Sequence, residues 1–355
     1  MIDPRTFDKE WILKVKGEER SDQGIIERQI HGLHLLEILQ ANFKHFIFKG
    51  GTCLSLISSD FPRFSIDIDI LVDPKYKDFF LVENLVRVIG KSQFTSVVED
   101  FRTPRYDIDK QHFEFHYNGA INGETYILLD VVFDESSYRD LVEVEINNYL
   151  LQSTPPFLKV ITPSVHDLLA DKLCAFAPNT IGKKLNEGRD VEVVKQMFDV
   201  SFLMKHYRFS PSYKEIYETI SKAVISRRKA TISVEDVLKD TIRTSINIVS
   251  EGILDKEQYQ NIKRAIRGFS SYTRDLSFNL EKAKESALDA LFASLLVIAG
   301  SKDKFDGMMM EPVEYLAEYS VFKSTRKQLA AIDAELVDLF NGCLRYMSCL
   351  NISLK

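Results

Sequence analysis

The spacing of apolar residues gives the chain two textures. Up to about residue 160, short segments of alternating apolar and polar positions, typical of strands, are interspersed with segments of helical spacing. Beyond that point the chain reads almost wholly as helix. Strands are predicted over 45–49, 64–73, 94–100, 112–119 and 124–134, with a hairpin turn at Asn122-Gly123. Helices are predicted over 25–41, from Thr52, and over 75–91, 163–177, 188–206, 211–228, 234–250, 255–270, 279–299, 311–321 and 324–348.

Length and composition indicate a globular chain with two domains. The 355 residues are 45% hydrophobic and 28% charged, which provides ample apolar material for a core. The best boundary is the Ser-Thr-Pro-Pro stretch at 153–156, so we expect one domain over 1–158 and a helical one over 159–355. Neither an apolar signal core nor a transmembrane run is found, which predicts a cytoplasmic protein without a membrane partner. Four cysteines without a CxxC pair predict reduced thiols.

Two carboxylates occupy alternate positions of a predicted strand. Residues 65–70 read Ser-Ile-Asp-Ile-Asp-Ile, and strand side chains alternate between faces, so Asp67 and Asp69 point to the same side. Neighbouring carboxylates repel each other unless water or a cation neutralises them. Mg²⁺ prefers oxygen ligands and often takes one or two carboxylates together with substrate phosphates. The pair therefore predicts a metal site, and the alternative is an edge strand with a solvated polar face.

A glycine turn precedes this strand by one helix. Lys49-Gly50-Gly51-Thr52 lies between a predicted strand and a predicted helix. Glycines let the backbone approach a ligand closely, and a helix N-terminus suits phosphate. A pair of glycines alone is more often an ordinary tight turn. The order of a turn, a helix and an aspartate strand is more specific than any part, and it predicts a site for a metal-bound triphosphate.

Two cations flank this segment. Arg63 lies just before the aspartate strand, where it would neutralise a phosphate or pair with an aspartate. The alternative is an ordinary surface salt bridge. Lys49 has the same two interpretations.

A third carboxylate is expected in such a site. Asp130 is an isolated charge in the apolar segment 126–133, where an unpaired charge would be costly to bury. A metal shared with Asp67 and Asp69 would offset that cost. The alternatives are an aspartate at a strand end paired with a local arginine, and Asp134 as the third ligand.

These motifs, in this order, resemble the nucleotidyltransferase AbiEii/AbiGii toxin family of the DNA polymerase β-like nucleotidyltransferase superfamily. The resemblance also includes Asp171-Lys172-Leu-Cys-Ala-Phe and Lys195-Gln-Met-Phe-Asp199, and it covers roughly residues 25–205. It implies an α+β fold, with an N-terminal polymerase β-like domain built on a mixed sheet. A helical C-terminal domain would complete the active-site cleft.

The resemblance also implies a role for each matching residue. Gly51 and Thr52 would hold the triphosphate, and Lys172 would contact it, while Asp199 would be structural or catalytic. Asp130 would act as a metal ligand or as the base that activates the acceptor hydroxyl. The predicted catalytic residues are Asp67, Asp69, Asp130, Lys172 and Asp199, the ligands of two Mg²⁺ ions are Asp67, Asp69 and Asp130, and the nucleotide-binding residues are Lys49, Gly50, Gly51, Thr52, Arg63 and Ser65.

The implied function is transfer of a nucleotide from an NTP to tRNA or another RNA. The enzyme would be the toxin of a toxin–antitoxin or abortive infection system, with a cognate antitoxin as partner. Alternatives are transfer to a small molecule or a protein, and a non-catalytic nucleotide-binding protein. The net charge of −6 requires any RNA contact to come from a local basic patch. Arg227-Arg228-Lys229 and the run Lys263, Arg264 and Arg267 are candidates, or else solvated helix faces.

Overall fold

The structure, a computed structural model, describes residues 1–19, 21–102, 108–274, 277–300, 321–350 and 352. It divides into two compact units. The sheet unit comprises Met1–Ser164 and Ser271–Ser277, and the helical unit comprises Val165–Ser270 and Phe278–Lys355. A mixed sheet in the first unit and helices in the second confirm the α+β class. The functional domains 1–158 and 159–355 stay a prediction, and the sheet unit extends six residues past that boundary.

The strands of the sheet unit form a main sheet in the order β1-β2-β5-β4-β3 and a separate pair, β6-β7. In the main sheet β2 runs parallel to β5, and all other neighbouring strands of that sheet are antiparallel. The strands are β1 Phe46–Lys49, β2 Ile68–Val72, β3 Phe94–Glu99, β4 Lys110–Gly119, β5 Gly123–Phe133, β6 Leu141–Glu145 and β7 Lys159–Pro163.

Helix α2 covers one face of the main sheet. A Cβ added at Gly32 would lie 3.0 Å from the carbonyl oxygen of Ile66 and 3.6 Å from Ile68 Cδ1, so α2 approaches β2 closely. Because side chains alternate along β2, Asp69 points to the opposite face. The helices of this unit are α1 Lys9–Glu19, α2 Gln23–Asn42, α3 Gly50–Ile57 and α4 Val82–Ile89, with 3₁₀ helices Pro4–Phe7 and Pro74–Phe80.

The helical unit buries apolar stripes of its helices against one another. Its helices are α5 Val165–Ala175, α6 Asp190–His206, α7 Tyr213–Arg227, α8 Val234–Val249, α9 Lys256–Phe269, α10 Leu280–Ala299, α11 Lys323–Ile332 and α12 Ala334–Cys349. Within the described ranges, no helix is long and apolar enough to cross a membrane.

Three predicted elements are wrong in their extent. Thr162 and Pro163 end strand β7 by pairing with β6, so helix α5 begins only at Val165. The predicted helix 75–91 is broken at Leu81 between a 3₁₀ helix and α4. The predicted helix 324–348 is divided at Asp333, whose side chain accepts the Glu335 N–H and begins α12.

The remaining differences concern starts and omissions. Strand β2 begins at Ile68 rather than at 64, because the Phe64 N–H donates to the carbonyl oxygen of Tyr272 instead of joining the main sheet. Helix α1 and strands β6 and β7 were not predicted. The predicted helix 311–321 lies, apart from its last residue, outside the described residues.

A buried carboxylate fixes the β4–β5 hairpin. Glu27 of α2 is fully buried, and its two carboxylate oxygens accept the backbone N–H groups of Ile121 and Asn122 at 2.9 and 3.0 Å. Gly123 follows with φ +67°, which glycine adopts at little cost. This contact ties α2 to the hairpin whose second strand carries Asp130.

We expect Glu27→Ala to lower the free energy of unfolding by about 1–3 kcal/mol, because it leaves half-buried donors without a partner. Urea unfolding measures the change. The matched control is Glu124→Ala, at an exposed position of the same hairpin, which should change stability by less than about 0.5 kcal/mol. Equal stability of the two variants would contradict this role of Glu27.

Candidate active site

The predicted glycine turn joins β1 directly to α3. Gly50 has φ +84°, and a Cβ at this position would overlap the Asp69 carboxylate. Lys49 occupies the N-cap position without a side-chain hydrogen bond to the first turn of α3. The first N–H groups of a helix have no partner within it, and they favour an anion. The turn therefore places phosphate-binding groups beside a carboxylate.

A hydroxyl connects the turn to the other aspartate. Thr52 is fully buried, and its Oγ1 donates to the carbonyl oxygen of Asp67 at 2.7 Å. A Cβ at Gly51 would lie 2.6 Å from both Arg63 Nη2 and Ser65 Oγ. The start of α3 and the segment before β2 are therefore packed in direct contact. The observed bond of Thr52 positions Asp67, and its predicted triphosphate contact stays a prediction.

A buried chain of hydrogen bonds supports the contact between α3 and the segment before β2. The Ser65 N–H donates to Gln29 Oε1 at 3.0 Å, and Gln29 Nε2 donates to Ser55 Oγ at 3.2 Å. The hydroxyl of Ser55 then donates to the carbonyl oxygen of Thr52 at 2.7 Å. Gln29 and Ser55 are both buried, so α2 holds α3 and the aspartate segment together.

Strand pairing brings two predicted carboxylates side by side. Asp69 and Asp130 are register partners on the parallel strands β2 and β5, and both are half-buried on the same face. Lys49 is the partner of Asp69 on the other side. Asp134, the alternative third carboxylate, follows the end of β5, where its Oδ1 accepts the Glu135 N–H. Of the two candidates, Asp130 is the register neighbour of Asp69.

Asp130 has a partner that the sequence did not reveal. His112 is its register neighbour on β4, and His112 Nδ1 lies 2.6 Å from Asp130 Oδ1. Burial would raise the pKa of Asp130, but the hydrogen bond and charge of His112, with the charges of Arg102 and Lys110, hold that pKa below its usual range. Arg102 itself pairs with Asp100 at 2.6 Å. Asp130 therefore lies inside β5, which ends at Phe133, and its hydrogen-bond partner is His112, so the interpretation as a strand-end aspartate paired with arginine is wrong.

Arg63 is buried rather than exposed. Its Nη1 donates to the carbonyl oxygen of Phe64 at 3.0 Å, and its guanidinium lies 5.1 Å from the Phe61 ring centroid. The alternative of an ordinary surface salt bridge is therefore wrong. Its predicted contact with a nucleotide stays a prediction.

Lys172 and Asp199 form a buried ion pair within the helical unit. Lys172 Nζ of α5 lies 2.9 Å from Asp199 Oδ2 of α6, and Asp199 is fully buried. A lysine and an aspartate on amphipathic helices are usually solvated, but these two side chains are buried. Their predicted catalytic roles, in a site shared by the two units, stay a prediction.

The chemistry of the donor set fits a divalent cation. Asp69 and Asp130 present carboxylate oxygens side by side, which Mg²⁺ prefers, and one oxygen of Asp130 bonds His112. Among the residues that the structure describes, no group of three or more His, Cys, Asp or Glu side chains is arranged to hold a metal. The metal roles of Asp67, Asp69 and Asp130 therefore stay a prediction.

Comparisons with known proteins assign the chain to a class of enzyme. Residues 34–294 match the family described as nucleotidyl transferase AbiEii toxin of type IV toxin–antitoxin systems, and the chain belongs to this family. It is accordingly a nucleotidyltransferase, as its motifs predicted. No curated protein matches.

Two solved structures are similar. MenT4, a nucleotidyltransferase toxin of Mycobacterium tuberculosis H37Rv, is 11% identical with a TM-score of 0.46, over 81% of this chain and 97% of that one. An antigenic nucleotidyltransferase-like protein of Paracoccidioides brasiliensis is 15% identical with a TM-score of 0.36, over 58% of this chain and 94% of that one.

We expect Gly50→Ala to disturb the site. A side chain at this φ costs about 1–2 kcal/mol, and the new Cβ would displace the Asp69 carboxylate. Gly17→Ala is the matched control, because it lies in α1 with open space around it. Urea unfolding and binding of a fluorescent NTP with Mg²⁺ measure the two effects. A Gly50→Ala protein that matches Gly17→Ala in both would contradict this geometry.

We expect Lys172→Met to destabilise the protein by about 3–5 kcal/mol, because it leaves the buried Asp199 carboxylate without its cation. The double variant Lys172→Met/Asp199→Leu should recover most of that stability. Lys222→Met, which removes an exposed pair with Glu218, is the control and should cost less than about 1 kcal/mol. If the double variant is stable but has no nucleotidyltransferase activity, the pair serves catalysis. Full nucleotidyltransferase activity in that variant would show that the pair is structural.

Proposed function

We propose that this enzyme transfers a nucleotide from an NTP to a hydroxyl of RNA, with tRNA as the preferred acceptor, in a reaction that requires a divalent cation. The observation that carries the proposal is the register pairing of Asp69 with Asp130, directly beside the turn at Gly50. Membership of a toxin family supports the physiological role, a toxin neutralised by a cognate antitoxin.

The turn orients the triphosphate in this proposal. The N–H groups at the start of α3 and the Lys49 ammonium bind the phosphates, because both carry positive charge at the junction of β1 and α3. Glycine at positions 50 and 51 lets this turn pack directly against Asp69, Arg63 and Ser65. Thr52 acts through Asp67, by holding the backbone from which that carboxylate extends.

The carboxylates of Asp67, Asp69 and Asp130 would hold the cation. When bound, such an ion supplies charge neutralisation of the triphosphate and a lowered pKa of the acceptor hydroxyl. Asp130 would act either as a ligand of this ion or as the base that accepts the proton of that hydroxyl, in both cases through the oxygen that does not bond His112. Lys172 would neutralise the charge that develops on the leaving pyrophosphate.

RNA is the proposed acceptor because the chain belongs to a toxin family, for which the resemblance in sequence implied an RNA acceptor. A test incubates the protein with each labelled NTP, Mg²⁺ and total RNA. We expect label in tRNA with the wild type, and at least about 100-fold less with Asp69→Asn or Asp130→Asn. Both substitutions conserve shape and remove one charge. Label on a protein or small molecule but not on RNA would contradict the acceptor, and no transfer with any NTP would contradict the reaction.

A second prediction concerns His112 as the positioning residue of Asp130. We expect His112→Phe to lower the transfer rate about 10–100-fold, which is typical for partners of metal-ligating groups. His112→Asn should recover part of the rate, because its amide can still donate to Asp130. His116→Phe is the matched control on the same face of β4, and it should leave the rate near that of the wild type. Equal loss in all three variants would contradict the assignment.

A further inference from the structure

The loop between α5 and α6 is anchored at its base by a buried carboxylate. The oxygens of Asp240 on α8 accept the Asn179 N–H at 2.8 Å and its side-chain amide at 2.6 Å, and the Thr180 hydroxyl at 2.8 Å. The Lys183 N–H donates to the carbonyl oxygen of Ala175 at 2.9 Å. The backbone on both sides of this turn is therefore fixed by hydrogen bonds.

Glycine is required at the tightest point of the same loop. A Cβ at Gly182 would lie 2.5–2.6 Å from backbone atoms of Ala175 and Ala177, so any larger residue would force the backbone apart. The two residues that follow, Lys183 and Lys184, are both exposed. A tightly held backbone thus presents two adjacent lysines to solvent.

The basic run after α7 reaches this loop. Arg228 Nη1 donates to the carbonyl oxygen of Gly182 at 3.2 Å, which places the run 227–229 next to Lys183. Lys229 is exposed and has φ +49°, in the left-handed region that favours glycine or asparagine.

Helix α9 lies along the other side of the loop. Gln258 in its first turn donates to Asn179 Oδ1 in the loop at 3.3 Å, and a Cβ at Gly268 in its last turn would lie 3.2 Å from Val191 Cγ2 at the start of α6, just after the loop. The exposed face of α9 carries Arg264 and Arg267. Both basic runs identified in the sequence therefore flank one loop that is itself basic.

This surface contrasts with the rest of the chain in charge and in apolar content. The full sequence has a net charge of −6, whereas acidic residues in the loop are few. Glu187 lies in the loop, and Asp190, the first residue of α6, accepts the Asn186 N–H at 2.6 Å. Among described residues, none of the exposed large hydrophobic side chains belongs to this loop, to α9 or to the run 227–229. Protein interfaces usually have an aromatic or apolar centre, whereas phosphate backbones require dispersed cations.

We infer that these residues form a binding surface for the phosphate backbone of RNA. The basic face is defined by Lys183, Lys184, Arg228, Lys229, Arg264 and Arg267. The identity of the polyanion as RNA rests on the proposed function, whereas the face itself rests on the contacts above. The contacts with phosphates hold the acceptor RNA and carry no sequence information themselves.

The test measures binding of fluorescein-labelled tRNA to the full chain by anisotropy, without NTP, over a series of salt concentrations. Two variants each remove two of the six cations of the basic face: Lys183→Gln/Lys184→Gln and Arg264→Gln/Arg267→Gln. The matched control is Lys323→Gln/Lys327→Gln, two exposed lysines one turn apart on α11. Each face variant should weaken binding about tenfold or more and reduce the salt slope by about 1–2, because each removes up to two phosphate contacts. All variants should keep the wild-type unfolding midpoint and bind a fluorescent NTP unchanged.

Several outcomes would overturn the inference. Loss of binding as large in the control as in the face variants would indicate bulk charge only, and unchanged binding in both face variants would exclude the face. Poly-L-glutamate that competes as strongly as tRNA per charge would indicate an acidic protein as the partner instead. A wild type that labels another acceptor but does not bind tRNA would overturn the face and leave nucleotidyl transfer standing. Binding of tRNA through the face without transfer to any acceptor would support the face and contradict the proposed function.

Discussion

The parallel pairing of β2 with β5 places two carboxylates, Asp69 and Asp130, side by side on one face of the sheet. Like charges at this separation destabilise the fold unless something neutralises them. Each carboxylate also has a register neighbour on its other side: Lys49 lies across from Asp69, and His112 Nδ1 lies 2.6 Å from Asp130 Oδ1. The pair still has carboxylate oxygens of the kind that suits a cation.

The rest of the sheet unit keeps this face in position. Helix α2 acts from the other side of the sheet: Glu27 fixes the hairpin of β5, and Gln29 links the segment before β2 to α3. Thr52 then connects α3 to Asp67. Because each of these polar groups is buried, loss of any one leaves an unsatisfied partner and moves the carboxylates or the turn. Stability and the proposed chemistry thus depend on the same contacts.

Local sequence patterns predicted the aspartate pair and the glycine turn of the site. The other neighbours in the site depend on pairing between strands that are distant in the sequence. The alternation around Asp67 and Asp69 and the glycines before Thr52 are visible within a few residues of sequence. The neighbour of Asp130 could not be predicted, because it depends on the register between β4 and β5, although His112 lies in a segment recognised as a strand. Thr162-Pro163 was misread as a helix start, because its pairing with β6 depends on a strand that has no clear alternation.

The central claim, that Asp69 and Asp130 act together on a metal-bound nucleotide, is tested most directly by a double-mutant cycle. Binding of NTP to the wild type, Asp69→Asn, Asp130→Asn and the double variant is measured by calorimetry with and without Mg²⁺. If the two aspartates share one ion, each single substitution should nearly abolish the Mg²⁺-dependent part of the binding free energy of NTP. The second substitution should then add little, which corresponds to a coupling energy of about 1–3 kcal/mol. Additive effects, or NTP binding that is the same with and without Mg²⁺ in all four proteins, would contradict the account.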